Sequence, residues 1–285
     1  MEETRRGFLK SGAALAATAL TASAAFADEA PQGGERHVKV AVLSPTGGTM
    51  NAAAMVAAKI SSDIEFINQS SYASRQEIVE FSGDDLAIIG SPSYSGQIPR
   101  AEGLFENLRG NNTPCIILAA FGNRGAEDTC TQIINIVERN GFIPIAAIKT
   151  PTPHIHSDRI GRSRPDVEDN RVMAEFAEKV LAKLDAGDMT PVQIEGEPTL
   201  HGEKNGSDVS KFYYPDNCTG CMTCVNECTQ GAIDPDTMEI DLDKCLFCER
   251  CVYVCQFNGR SFDSSPNREA RENHIVGRKP VSYYL

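Results

Sequence analysis

Eight of the ten cysteines in this 285-residue chain fall into two identical runs, Cys218-x2-Cys221-x2-Cys224-x3-Cys228 and Cys245-x2-Cys248-x2-Cys251-x3-Cys255, at a constant offset of 27 residues. A disulfide framework has no need of equal spacing in both halves. Structural zinc sites use C-x2-C pairs well separated in the chain, and a third cysteine two residues further on fits them poorly. Three thiolates spaced in this way can instead wrap a tight loop around one corner of an iron–sulfur cube, each reaching a different iron. The fourth iron then needs a distant thiolate.

The stretch closely resembles the two-cluster bacterial ferredoxins, in which the fourth cysteine of each run crosses to the other cluster. The resemblance implies two [4Fe–4S] clusters, one held by Cys218, Cys221, Cys224 and Cys255 and the other by Cys245, Cys248, Cys251 and Cys228. It also implies a small α+β ferredoxin-type domain, placed at residues 211–263. Thr229 and Gln256 follow the fourth cysteines where proline is common, so an extra backbone N–H is expected near each sulfur.

Residues 1–27 read as an export signal. Arg5-Arg6 stand before an Ala/Thr/Gly-rich apolar run that ends in Ala25-Phe26-Ala27, a small-residue cleavage pattern. The run is short and only mildly apolar for a membrane anchor, so no integral span is expected in the mature chain. The segment resembles a twin-arginine signal, which implies delivery to the periplasm or extracytoplasmic face with the clusters already built. Cleavage would leave a formal charge of about −13, against −12 for the whole chain. That acidity, with an isoelectric point near 4.9, argues against a nucleic-acid partner and for redox proteins with basic docking patches.

Between signal and clusters, apolar strands alternate with helical patterns, the pattern of a doubly wound parallel sheet. Strands are expected at Val38–Leu43, Ile64–Ile67, Leu86–Ile89, Cys115–Phe121 and Phe142–Ile148, with helices from Met50 to about Ser61 and from Pro165 to Leu184. Five strands suit a flavodoxin-like order over residues 36–185. The first strand runs into Ser44-Pro45-Thr46-Gly47-Gly48-Thr49, a hydroxyl- and glycine-rich loop before a helix, suited to a phosphate. The third and fourth strands end in Tyr94-Ser95-Gly96 and Gly122-Asn123-Arg124, so three loops land on the rim where such folds bind ligands. No G-x-G-x-x-G follows the first strand, against a dinucleotide-binding Rossmann domain.

Together these loops and the C-terminal cysteine runs resemble the EFR1 family of flavodoxin–ferredoxin fusions. That resemblance implies non-covalent FMN, with Ser44, Thr46, Gly47, Gly48 and Thr49 at its phosphate and Tyr94, Gly96, Asn123 and Arg124 near its ring. Gly48 and Gly125 depart from the residues usual in that family. The competing reading is a flavin-free domain whose loops are only turn chemistry.

Residues 186–210 read as an interdomain linker, and 264–285 as a tail that either packs back on the domains or docks a partner. His154 and His156 read as an ordinary surface loop, and Cys115 and Cys130 as small buried residues. No acid–base pair or nucleophile constellation stands out. The expected function is an exported electron carrier that relays electrons between FMN and two clusters to a redox partner. The alternatives are an FMN-dependent reductase of a small acceptor, such as a quinone or organic molecule, and a ferredoxin-only carrier with a docking domain.

Overall fold

A computed structural model describes residues 36–202 and 210–285. The expected signal at 1–27 and part of the expected linker, 203–209, lie outside the described residues. The first unit contains β1 (Val38–Val42), α1 (Gly48–Ile60), β2 (Ile64–Asn68), β3 (Val79–Glu80), β4 (Leu86–Pro92), β5 (Leu108–Arg109), β6 (Thr113–Phe121), α2 (Thr129–Arg139), β7 (Phe142–Pro151) and α3 (Val167–Asp185). Five of these strands pair in parallel in the order β2-β1-β4-β6-β7, and β3 and β5 form a separate short ladder. This is the flavodoxin-like order. The strands read as near-continuous apolar runs because both faces of a doubly wound sheet are covered. Alternate residues feed two cores: Val38, Val40 and Val42 pack with Ala53 of α1 and Phe176 of α3, while Ala41 and Leu43 face the layer that holds Ile133 of α2.

The order reverses between β1 and β4, so the loops leaving these strands diverge and open a crevice at their C-terminal ends. The helix expected from Pro165 begins at Val167, because the Asp166 carboxylate accepts from the N–H groups of Glu168 and Asp169 and makes Asp166 the N-cap of a capping box.

The second unit is an antiparallel ladder of β8 (Ser210–Tyr213) and β9 (Arg260–Asp263) with two single helical turns, α4 (Thr223–Asn226) and α5 (Arg250–Tyr253). The tail packs back. It forms α6 (Arg268–His274) and then β10 (Ser282–Tyr284), which pairs antiparallel with β7 and gives the sheet a sixth strand beyond the five expected. No helix of the described residues is long and apolar enough to cross a membrane.

Candidate iron–sulfur and cofactor site

The sequence repeat returns in the backbone. Gly220 and Phe247, Met222 and Glu249, and Gly231 and Asn258 form three pairs 27 residues apart, and all six lie in the left-handed region at φ of 52–70°. Residues other than glycine enter that region only when their surroundings impose it. Here it aims amides at sulfur. Gly220 and Phe247 donate N–H to Cys218 and Cys245 Sγ at 3.5 and 3.4 Å, and Ala232 and Gly259 donate to Cys228 and Cys255 Sγ, both at 3.2 Å. Thr229 approaches a sulfur through its hydroxyl rather than its amide, 3.3 Å from Cys248 Sγ.

Cys218, Cys221, Cys224 and Cys255 surround one void, with Tyr213 and Met238 on its wall. Cys228, Cys245, Cys248 and Cys251 surround the other, with Lys211 and Ile233. Among the described residues, no three His, Cys, Asp or Glu side chains converge closely enough for a single metal ion. Each quartet thus lines a void of its own rather than a preformed single-ion site.

The two quartets differ in burial. Cys221 is exposed, and its thiol is lowered by the Thr223 hydroxyl as that of Cys218 is by the Tyr213 hydroxyl. Cys248 and Cys251 are each only 9% exposed, and burial pushes the Cys251 thiol up to about 12. Beside this buried quartet, Lys211 Nζ stands 2.6 Å from Glu249 Oε1, both side chains almost wholly buried.

At the crevice, Gly47 takes a φ of +89° and turns the chain into α1. Ser44 Oγ accepts the N–H of Met50 at 2.9 Å, while the N–H groups of Gly48 and Thr49 open the helix with no acceptor in a preceding turn. Donors of this kind fit a phosphate. A Cβ on Gly48 would stand 3.5 Å from the Thr152 side chain, and Thr152 in turn lines a cavity of about 450 Å³ between the strand ends and the second unit. Tyr94 and Arg124 line that cavity. Ser93 Oγ and Tyr94 Oη, on its wall, are buried with no hydrogen-bond partner among the described residues, so a ligand in the cavity would meet orphaned polar atoms.

Other expected residues face elsewhere. Gly96 is in the left-handed region at φ +87°, but the space beside it holds the Glu127 carboxylate, 2.7 Å from where a Cβ would be. Asn123 donates its amide to Gly277 O at 2.8 Å and accepts from Lys279 N at 3.3 Å, which clamps the tail. The surface-loop reading of His154 and His156 is corrected: both line the cavity, because the second unit and α6 cover the loop that carries them. His156 Nε2 lies 3.1 Å from Phe247 O and 3.4 Å from Glu249 Oε1. Cys115 and Cys130 are buried free thiols, both raised by burial. Sequence reasoning missed Thr152, Tyr253, Arg271 and His274, which carry no local motif; Tyr253 Oη would stand 3.2 Å from a Cβ on Gly47.

One loop walls both compartments. Cys245 and Cys248 face the buried quartet's void, and Leu246 and Phe247 between them line the cavity. The buried Tyr94 hydroxyl, held well above its ordinary pKa by burial and then by Cys248, Glu249 and Cys245, sits on the same boundary. Hydrogen bonds fix this docking: Tyr72 N to Cys228 O at 3.0 Å, Glu102 N to Gln230 Oε1 at 3.0 Å, and Arg250 Nη1 to Pro45 O at 3.1 Å.

Residues 217–258 match the family model described as a 4Fe-4S dicluster domain. A Halobacterium salinarum protein named as the iron–sulfur subunit of a dimethyl sulfoxide reductase is 32% identical over 101 residues, which are 34% of this chain and 37% of that protein. The chain thus matches little more than a third of that relative's length. A Bacteroides uniformis protein named as a flavoprotein aligns in structure over 51% of this chain and 99% of its own, with a TM-score of 0.34 and 14% identity. A flavodoxin of Streptococcus pneumoniae does so over 51% and 98%, with a TM-score of 0.32 and 18% identity. The strand order and register, not these likenesses, carry the fold assignment, and the matched segment carries the ferredoxin-type domain.

Proposed function

We propose that the chain is an electron-transfer iron–sulfur flavoprotein that holds FMN at the crevice and a [4Fe–4S] cluster in each cysteine quartet. The observation that carries this reading is the shared wall: Leu246 and Phe247 line the cavity from a loop whose ends, Cys245 and Cys248, line the buried quartet. When bound, FMN exchanges two electrons and each cluster one, which couples one-electron and two-electron partners.

In this reading Ser44, Thr46, Gly47, Gly48 and Thr49 present hydroxyls and helix-opening amides to the phosphate. Tyr94 and Arg124 lie against the ring's compartment, and Tyr94 excludes water from the boundary with the buried quartet. The exposed quartet, with Cys221 at the surface, is the port for an external redox protein with a basic patch complementary to the acidic chain. The segment 1–27 directs export by the twin-arginine route.

The test is anaerobic purification of the mature chain with iron, sulfide and FMN quantitation, followed by a reductive titration read by absorbance and EPR. About eight irons and one FMN per chain are expected. About eight irons without flavin would reduce the first unit to a docking module, and zinc in place of iron would overturn the reading.

A further inference from the structure

The loop from Ser44 to Thr49 meets the ferredoxin-type unit through a single helical turn. That turn, α5, contains Cys251 of the buried quartet, and its first and last residues, Arg250 and Tyr253, both reach the loop. Arg250 Nη1 donates to Pro45 O at 3.1 Å, while its Nε, at 3.1 Å, and its Nη2 donate to the Glu227 carboxylate. The carboxylate matches the guanidinium charge, so Arg250 fixes the loop without leaving a lone cation over it. Three residues further along the same face of the turn, Tyr253 brings its phenol to Gly47, where a Cβ would stand 3.2 Å from Oη and 3.8 Å from Cζ. Gly47 is the N-cap of α1, so the hydroxyl stands at the helix end where the first-turn N–H groups have no partner in a preceding turn.

Tyr253 is 61% exposed, and its hydroxyl has no hydrogen-bond partner among the described residues. Burial does not account for the position of this ring, and the phenol is a spare donor at the start of α1. Thr49, in the first turn of α1, is only 3% exposed, and its hydroxyl likewise has no partner among the described residues. Each unit therefore contributes an unused hydroxyl to the same helix end. The loop Ser44-Pro45-Thr46-Gly47-Gly48-Thr49 contains no lysine or arginine. An anion here is held by neutral donors and by the positive end of the helix dipole, so every hydrogen bond to a charged oxygen counts.

We propose that Tyr253 donates its hydroxyl to the flavin phosphate, so that the ferredoxin-type unit completes the cofactor site of the first unit and selects FMN over riboflavin. The assignment rests on the flavin reading and adds to it a specificity-determining residue outside residues 44–49. It also makes retention of the phosphate depend on docking of the two units, because Tyr253 reaches the loop from the second.

The experiment takes the anaerobically purified full chain, loaded with iron and stripped of flavin by bromide, and titrates it with FMN and with riboflavin, each read by quenching of flavin fluorescence. The native chain is expected to bind FMN more tightly than riboflavin. Tyr253→Phe keeps the ring against Gly47 and removes only the donor. It should weaken FMN binding by about tenfold and leave riboflavin within about twofold of its native affinity, with iron content and melting temperature unchanged. A tyrosine that served only the packing of the loop would move both flavins together. Tyr253→Ala should weaken FMN at least as much as Tyr253→Phe. Unaltered FMN affinity in Tyr253→Phe, or an equal loss for FMN and riboflavin, would overturn the assignment and leave the flavin reading in place. No saturable binding of FMN to the native chain at full iron content would instead remove the flavin reading, and the assignment with it.

Discussion

Lys211 stands 2.6 Å from Glu249, one residue beyond Cys248, with both side chains buried. A buried pair is costly to break because the survivor is left charged without a partner, about 3–5 kcal/mol. It also sets the field on the buried quartet. Removal of the ammonium leaves a net negative charge beside the quartet, where the proposed cluster would gain negative charge on reduction, so reduction would become harder. With a cluster in each quartet, as proposed, Lys211→Met, which keeps most of the stem's packing, should lower the potential at the buried quartet by on the order of 60 mV and leave that at the exposed one unchanged. An EPR-monitored redox titration reads both; equal shifts in the two signals would contradict the placement of Lys211 at one quartet only. The same asymmetry is invisible in the two identical cysteine runs, because burial belongs to what packs on each run and not to its spacing.

At the scale of the element, the start of α3 joins helix and tail. Asp166 caps the helix and pairs with Arg278, and the Arg278 guanidinium, the first of its partners in effect, holds the Asp166 carboxyl well below the usual carboxylate range. A carboxylate whose pKa is depressed by folding adds stability above its unfolded value of about 4, and that contribution fades as pH falls below it. Arg278→Ala should therefore melt below the native chain at neutral pH, with the gap closing below about pH 4 in a series of thermal melts. A gap that persisted at low pH would assign Arg278 a packing role instead. The tail then runs on to β10, whose Tyr283 ring meets Phe176 at 5.4 Å and whose hydroxyl donates to Glu175 at 2.6 Å. Nothing in Ser282-Tyr283-Tyr284 distinguishes an edge strand from a partner-binding end; the open edge of β7 decides it.

For the whole molecule, Arg75 ties the two units together. Its side chain is almost fully buried and donates to four carbonyls, those of Gln69, Ser71 and Glu102 at 2.9, 3.0 and 2.9 Å and that of Thr229, next to Cys228, at 2.5 Å. Arg75→Ala strands these acceptors, a loss of about 3 kcal/mol or more. The expected result is a melting temperature lower by about 6–12 °C and, with FMN and iron bound as proposed, iron content retained but slower electron exchange between them in stopped-flow absorbance. An unchanged exchange rate would show that docking at Thr229 does not set the distance between the proposed cofactors. The arrangement of the strands is legible in the sequence because a parallel sheet covered on both faces writes its own apolar runs, and the cysteine repeat is legible because cluster ligation demands fixed spacing. Residue pattern alone is therefore enough for the five parallel strands, the ferredoxin-type domain and the loops at the crevice. It took the folded chain to show that Cys245–Cys248 walls the cavity, that Asn123 clamps the tail, and that Arg100, Arg271, His154 and His274 meet around one compartment. Those contacts join segments far apart along the chain, and no local pattern of residues records which distant surface will close over a loop.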